Sequence, residues 1–222
     1  MASANVVGYQ YIEIPAGYNL FTPTFNGVAT ELDVTTIAVC DADGNELDLF
    51  NDVTMQKMDD TGAYLDGIAY SPTFGGWNID FAAVDPETFT FKPGETVCIG
   101  NESGGKVYLR VSGQVDLVNL NKITSGYVLW GNGTPVPVDF TQIQVVDADG
   151  VELDLFNDVT FQKMDDTGAY LDGIAYSPTF GGWNVDFTAI EEGDFVLQPG
   201  EAGCVGNESG AEVYFKLPSP IK

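Results

Sequence analysis

The sequence predicts an all-β protein built from two tandem antiparallel β-sandwiches. Three observations carry that expectation. The stretch from Asp41 to Phe81 reappears as Asp147 to Phe187 with three changes, Val151 for Asn45, Phe161 for Met55 and Val185 for Ile79. Short runs rich in Val, Ile, Thr, Tyr and Phe alternate with Gly, Pro, Asp and Asn along the whole chain, the pattern of strands separated by turns. No run of useful length carries the 3.6-residue apolar period of an amphipathic helix.

The repeat divides the 222 residues into 1–114 and 115–222. Each half is long enough to bury its own core without metals or disulfides. The match extends beyond the central block, pairing Gly17-Tyr18 with Gly126-Tyr127 and Pro93-Gly94-Glu95 with Pro199-Gly200-Glu201. Within the first half, strands are expected at Val6 to Ile14, Thr36 to Cys40, Glu46 to Phe50, Val53 to Met58, Trp77 to Phe81, Thr88 to Phe91, Thr96 to Ile99 and Lys106 to Val111. That many short strands in about 110 residues suits a sandwich, and a jelly roll is one connectivity that fits. Only Ser112-Gly113-Gln114 separates the last strand of the first half from the second half. So short a junction predicts a fairly fixed orientation between the two.

Charge narrows the functions available. Thirty-three acidic residues face eight basic ones, a formal net charge of -25. Such a surface repels nucleic-acid phosphates and anionic membranes. No segment reaches the roughly 20 apolar residues of a membrane-spanning helix. Histidine is absent, which removes Ser-His-Asp and Cys-His nucleophilic mechanisms and histidine-ligated zinc. An enzyme would have to work through carboxylates, and no spacing singles out an acid-base pair. A non-enzymatic role is therefore expected.

The acidic motifs invite a cation. Asp41, Asp43 and Asp48, with counterparts Asp147, Asp149 and Asp154, resemble the start of a calcium loop because calcium takes six to eight oxygen ligands. Asp-Ala-Asp-Gly between strands is equally an ordinary hairpin turn, the simpler reading. A second cluster holds Asp59, Asp60 and Asp66, with counterparts Asp165, Asp166 and Asp172. Its plainest reading is a solvated acidic loop, with calcium as the alternative. No motif requires a cofactor.

Tyr70 to Asn78 recurs unchanged as Tyr176 to Asn184. Tyr70, Trp77 and Asn78, with Tyr176, Trp183 and Asn184, are candidates to stack and hydrogen-bond a glycan. Alternatively, the two tryptophans anchor the core. Cys98 and Cys204 are counterparts, whereas Cys40 is matched by Val146. A Cys40–Cys98 disulfide is one expectation, and three buried thiols acting as small hydrophobes are the other. Asn101-Glu-Ser103, Asn132-Gly-Thr134 and Asn207-Glu-Ser209 match the N-glycosylation pattern. Lys57 and Lys163 are equivalent; a Lys-Asn crosslink is conceivable there, and a surface lysine paired with a nearby Asp is the plainer reading.

The chain opens Met-Ala2-Ser3-Ala4, which looks like the end of a removed signal peptide behind an added start. Asn5-Val6-Val7-Gly8-Tyr9-Gln10, followed by Ile14 to Phe21, resembles the mature start of secreted bacterial proteins. That likeness covers about twenty residues and implies export alone. These features lead to an extracellular or cell-surface structural protein, a fibre subunit that self-associates through β-strand contacts. The motive is geometric: if one half runs straight into the next, the same step repeated between molecules builds a filament. Val6 to Ile14 would be the docking strand. A tandem carbohydrate-binding module is the alternative.

Overall fold

The computed structural model describes residues 7–25, 31–58, 63–92, 94–115, 120–165 and 169–218. The protein is nearly all-β, as expected, and the described residues contain no α-helix. The first unit holds β1 (Val7–Ile14), β2 (Gly17–Phe21), β3 (Leu32–Asp33), β4 (Ile37–Cys40), β5 (Val53–Gln56), β6 (Ile68–Ser71), β7 (Gly76–Ile79), β8 (Ala82–Ala83), β9 (Thr90–Phe91), β10 (Val97–Asn101) and β11 (Val107–Gln114). The second holds β12 (Leu120–Ile123), β13 (Gly126–Gly131), β14 (Val138–Asp139), β15 (Gln144–Val146), β16 (Val159–Lys163), β17 (Ile174–Ser177), β18 (Gly182–Val185), β19 (Thr188–Ala189), β20 (Val196–Leu197), β21 (Ala202–Asn207) and β22 (Val213–Lys216).

Strand order is the same in both units. A three-stranded sheet runs β1-β11-β4, matched by β12-β22-β15. A six-stranded sheet runs β2-β10-β5-β6-β7-β8, matched by β13-β21-β16-β17-β18-β19. Alternation along the strands turns one face of each sheet inward. In the first unit Val39, Val107 and Leu109 of the small sheet meet Phe21, Val53, Met55, Trp77 and Ile99 of the large one in a single buried cluster. The second unit has its own cluster, built around Trp130, Phe140, Phe161, Trp183 and Phe215.

Two expected strands need revision. Glu46 to Phe50 is not a strand; Glu46 makes an isolated bridge to Cys40, and the chain then turns at Phe50 and Asn51, both at positive φ. The strand expected at Trp77 to Phe81 stops at Ile79, because Asp80 and Phe81 also take positive φ and form a two-residue hairpin turn. Val7 to Ile14 is paired along its whole length with β11 of its own unit. The anticipated docking strand is thus engaged on one side, with its other edge unpaired among the described residues.

The units meet through reciprocal contacts. Glu95 of the first unit bridges Trp130 of the second. In return, the Thr22 amide of the first donates to the Gly200 carbonyl of the second at 3.0 Å. A Cβ built on Gly94 would lie 2.9 Å from Asn121 Oδ1 and 3.2 Å from Trp130 Nε1. One built on Gly200, its counterpart, would lie 3.0 Å from Ile12 Cδ1 and 3.6 Å from Phe21 Cδ2, and these belong to the counterparts of Asn121 and Trp130. Each unit therefore offers the equivalent region to the other, with different residues in it. The contact thus runs both ways within one molecule, as in an isologous pair.

Candidate functional site

The glycan candidates lie mostly inside. Tyr70, Trp77, Tyr176 and Trp183 are each 2 % exposed. Trp77 Nε1 donates to the Ile37 carbonyl at 2.8 Å and Trp183 Nε1 to the Ile143 carbonyl at 3.0 Å. Each packs edge-on against its tyrosine, whose hydroxyl donates to Glu46 or Glu152. Burial, reinforced by that carboxylate, pushes both tyrosine hydroxyls well up. These four are core anchors and offer no stacking face, because inward alternation in β6, β7, β17 and β18 directs them between the sheets. Asn78 and Asn184 point the other way but are also buried. Asn184 Nδ2 donates to Asn157 Oδ1, and to the Ala175 and Gly182 carbonyls. It fastens the Phe156-Asn157 turn onto the outer face of the large sheet.

The first acidic motif resolves as a turn in both units. Asp41 Oδ1 accepts from the amides of Asp43 at 2.9 Å and Asn45 at 2.8 Å, and Asp147 does the same for Asp149 and Val151. These bonds, the Asn45 side chain first, hold Asp41 below its ordinary pKa. Asp48 accepts from Ser71 Oγ at 2.7 Å and from Thr73 Oγ1, and Asp154 accepts from Ser177 and Thr179 alike. Asp165 accepts from the Ala169 amide at 2.9 Å, and Asp66 and Asp172 are exposed. Asp43 and Asp149 sit exposed at the turn tips. Asp59, Asp60 and Asp166 lie outside the described residues. Among the described residues no three or more acidic or cysteine side chains gather as a metal site.

The remaining motifs are structural. Cys40, Cys98 and Cys204 are buried free thiols, so the Cys40–Cys98 bridge is not formed. Val39 and the Val97/Ile99 pair point into the core. Alternation then turns Cys40 and Cys98 to the outer faces of opposite sheets, too far apart in direction to bond. Asn101, Asn132 and Asn207 are buried too. Each donates its amide to loop carbonyls, while Ser103, Thr134 or Ser209 donates its hydroxyl to the Asn Oδ1 at 2.7 Å. The Asn-x-Ser/Thr pattern here closes a turn and leaves no free amide for a glycan. Lys57 pairs with Glu95 at 2.8 Å and Lys163 with Glu201 at 3.4 Å, a glutamate and not the expected aspartate in each case.

What sequence reasoning missed lies on the outer face of the large sheet. In the second unit a groove of about 440 Å³ is floored by Thr160, Gln162, Gly173 and Ala175. Tyr127 walls one side, 65 % exposed, its ring spread over Gly206 and its hydroxyl donating to Glu208 at 2.7 Å. That bond raises the tyrosine pKa. Phe187, 62 % exposed, Val185 and Asp186 form the opposite wall, and Asn157 and Asp158 complete the lining. Every lining residue has the same residue at its counterpart in the first unit, except that Ile79 matches Val185. The first unit thus carries Tyr18, Asp52, Gln56, Asp80 and Phe81 at these places.

Beside the groove, and at the equivalent place in the first unit, stands an aromatic triad. Phe74 packs against Phe50 at 5.6 Å and Phe81 at 5.0 Å between ring centres, and Phe180 packs against Phe156 and Phe187 at 5.5 and 5.0 Å. Phe50, Phe81, Phe156 and Phe187 all combine positive φ with more than 60 % exposure. A left-handed phenylalanine costs about 1–2 kcal/mol where glycine would cost nothing. Neither burial nor backbone ease explains these four rings, which marks them as functional candidates. The readable signal was Phe-Asn and Asp-Phe in turn positions that ordinarily take Asn-Gly, kept in both copies. No protein-family model, curated protein or solved structure matches the chain.

Proposed function

We propose that the chain is a non-enzymatic extracellular binding protein that holds carbohydrate in two equivalent grooves. The carrying observation is the groove of Tyr127, Gln162, Asp158, Asp186 and Phe187, repeated as Tyr18, Gln56, Asp52, Asp80 and Phe81. Exposed aromatic faces suit the apolar C–H face of a sugar ring. Carboxylate and amide oxygens beside them suit its hydroxyls. The volume lies within the usual range for small-ligand sites, roughly 300–1,000 Å³. The absence of histidine supports a binding role over hydrolysis.

The test uses Phe81→Gly with Phe187→Gly, because glycine keeps the left-handed turn while deleting the ring. Stability should hold or rise by up to about 1 kcal/mol, while binding on a glycan array disappears. Retained binding in the double variant, or an intact protein that binds no glycan, would sink the reading. A fibre subunit is the second reading, favoured by the exposed Phe50 and Phe81 rings packed on Phe74 and by the edge of β1, unpaired among the described residues. Light scattering across a concentration series, in calcium and in EDTA, decides it; a constant monomer mass in both removes it.

A further inference from the structure

We infer that the ligand is a repetitive polysaccharide without anionic groups, engaged by both grooves of one molecule at once. This rests on the carbohydrate reading above and adds the class of glycan and the mode of capture.

The argument starts from what the two units share. Their mutual contact places Phe21 opposite one neighbour and Trp130 opposite the other, and Thr22 where the second unit has Gly131. The groove lining shows no such divergence: its residues recur in the first unit with only Ile79 for Val185. Two identical sites recognise the same epitope twice, which a polymer of one repeating unit supplies. The sites are also held in a set relation. The Thr22–Gly200 hydrogen bond and the Glu95–Trp130 bridge tie the units directly, in place of a flexible tether. A second binding event on the same polymer is then intramolecular and gains effective concentration.

Charge sets the remaining term. Asp158, Asp186 and Glu208 line the groove, and among the described residues no lysine or arginine does. With a formal net charge of -25 behind them, these carboxylates repel uronate or sulfate groups along a polymer.

The probes are mannan and a soluble β-glucan, their four-sugar oligomers, and the same polymers carboxymethylated. Calorimetry with the intact chain should show two equal oligomer sites for at least one sugar. The parent polymer should bind on the order of 10²-fold tighter. Phe81→Gly alone, or Phe187→Gly alone, should remove that gain and leave one oligomer site of unchanged Kd. Tyr18→Ala and Tyr127→Ala, on another strand of each groove, provide an independent pair. Carboxymethylation should weaken binding, and added salt should partly restore it. Oligomer and polymer binding with equal affinity would overturn the two-groove capture while leaving carbohydrate binding intact. Carboxymethylated polymer binding as well as the parent would overturn the charge selection. Failure of every probe would overturn the carbohydrate reading itself.

Discussion

At the end of β2 the first unit presents Phe21 and Thr22 to its neighbour, whereas β13 presents Trp130 and Gly131 at the same two places. A Cβ on Gly131 would sit 2.2 Å from Thr22 Oγ1 and 2.6 Å from Ala202 Cβ, so only glycine fits there. Thr22, in contrast, has room to exchange a 2.6 Å hydrogen bond with Thr96. Two patches that meet across a closed contact cannot both carry the bulky choice at its centre. The cores diverge in the same complementary way. Phe161 replaces Met55 and Gly203 replaces Val97, where a Cβ would lie 2.2 Å from the Gln162 carbonyl oxygen and 2.5 Å from the Phe161 ring. The groove on the outer face of the large sheet has no such partner among the described residues, and its lining is the same in both units but for Ile79 and Val185. The comparison separates positions shaped by a neighbour inside the molecule from positions shaped by something outside it.

The largest test of that comparison removes the core tryptophans. Trp183 packs edge-on against Phe140 at 4.9 Å and Phe215 at 5.6 Å. The counterparts of those two rings in the first unit are Val34 and Leu109. Trp77→Ala and Trp183→Ala should each cost about 3–5 kcal/mol. Trp183→Ala should cost about 1 kcal/mol more, since it also loses aromatic pairs. Chemical denaturation of each variant measures both values. Equal losses would mean the aromatic web of the second core adds nothing. A smaller test exchanges the paired choice. Met55→Phe alone should cost about 1–3 kcal/mol by crowding Val97, and Met55→Phe with Val97→Gly should recover most of it. Additive losses in that cycle would show the two positions to be uncoupled.

Much of the fold was legible because period-two patterning and turn residues act locally. β1, β4 and β5 sit close to where alternation placed them, and Trp77 and Trp183 are the core anchors that their size suggested. Burial separated the remaining readings. The aromatic-rich segment Tyr70 to Asn78 drew attention because its composition suits a sugar, yet alternation sends Tyr70 and Trp77 inward. The rings that do face solvent, Phe50 and Phe81, lay in what read as strands. Their exposure follows from left-handed backbone at Phe50-Asn51 and Asp80-Phe81, a conformation that phenylalanine does not advertise. The reciprocal contact between units was beyond a linear reading, since Gly94, Gly131 and Gly200 acquire meaning only against residues of the other unit.

The finest test asks whether the two aromatic triads are braced alike. Asp48 accepts from Thr73 Oγ1, from Ser71 Oγ at 2.7 Å and from the Phe50 amide at 3.2 Å, joining the Phe50 turn to the Pro72–Phe74 turn. Asp154 joins Phe156 to Phe180 through Thr179, Ser177 and the Phe156 amide. The threonine and serine hydroxyls, in that order, pull both carboxyl groups below their ordinary pKa. A depressed folded-state pKa means the unfolded chain takes up the proton first as pH falls. The contribution is therefore complete above the unfolded aspartate value of about 3.9. It is lost as pH drops through the lower folded value. Asp48→Asn and Asp154→Asn should each flatten the dependence of stability on pH below about 4 by the same small amount, and together by twice as much. Urea denaturation at a series of acidic pH values reads the slopes. Unequal slopes would mean that one triad is held by something besides its aspartate, and the equivalence of the two outer faces would then stop at the groove.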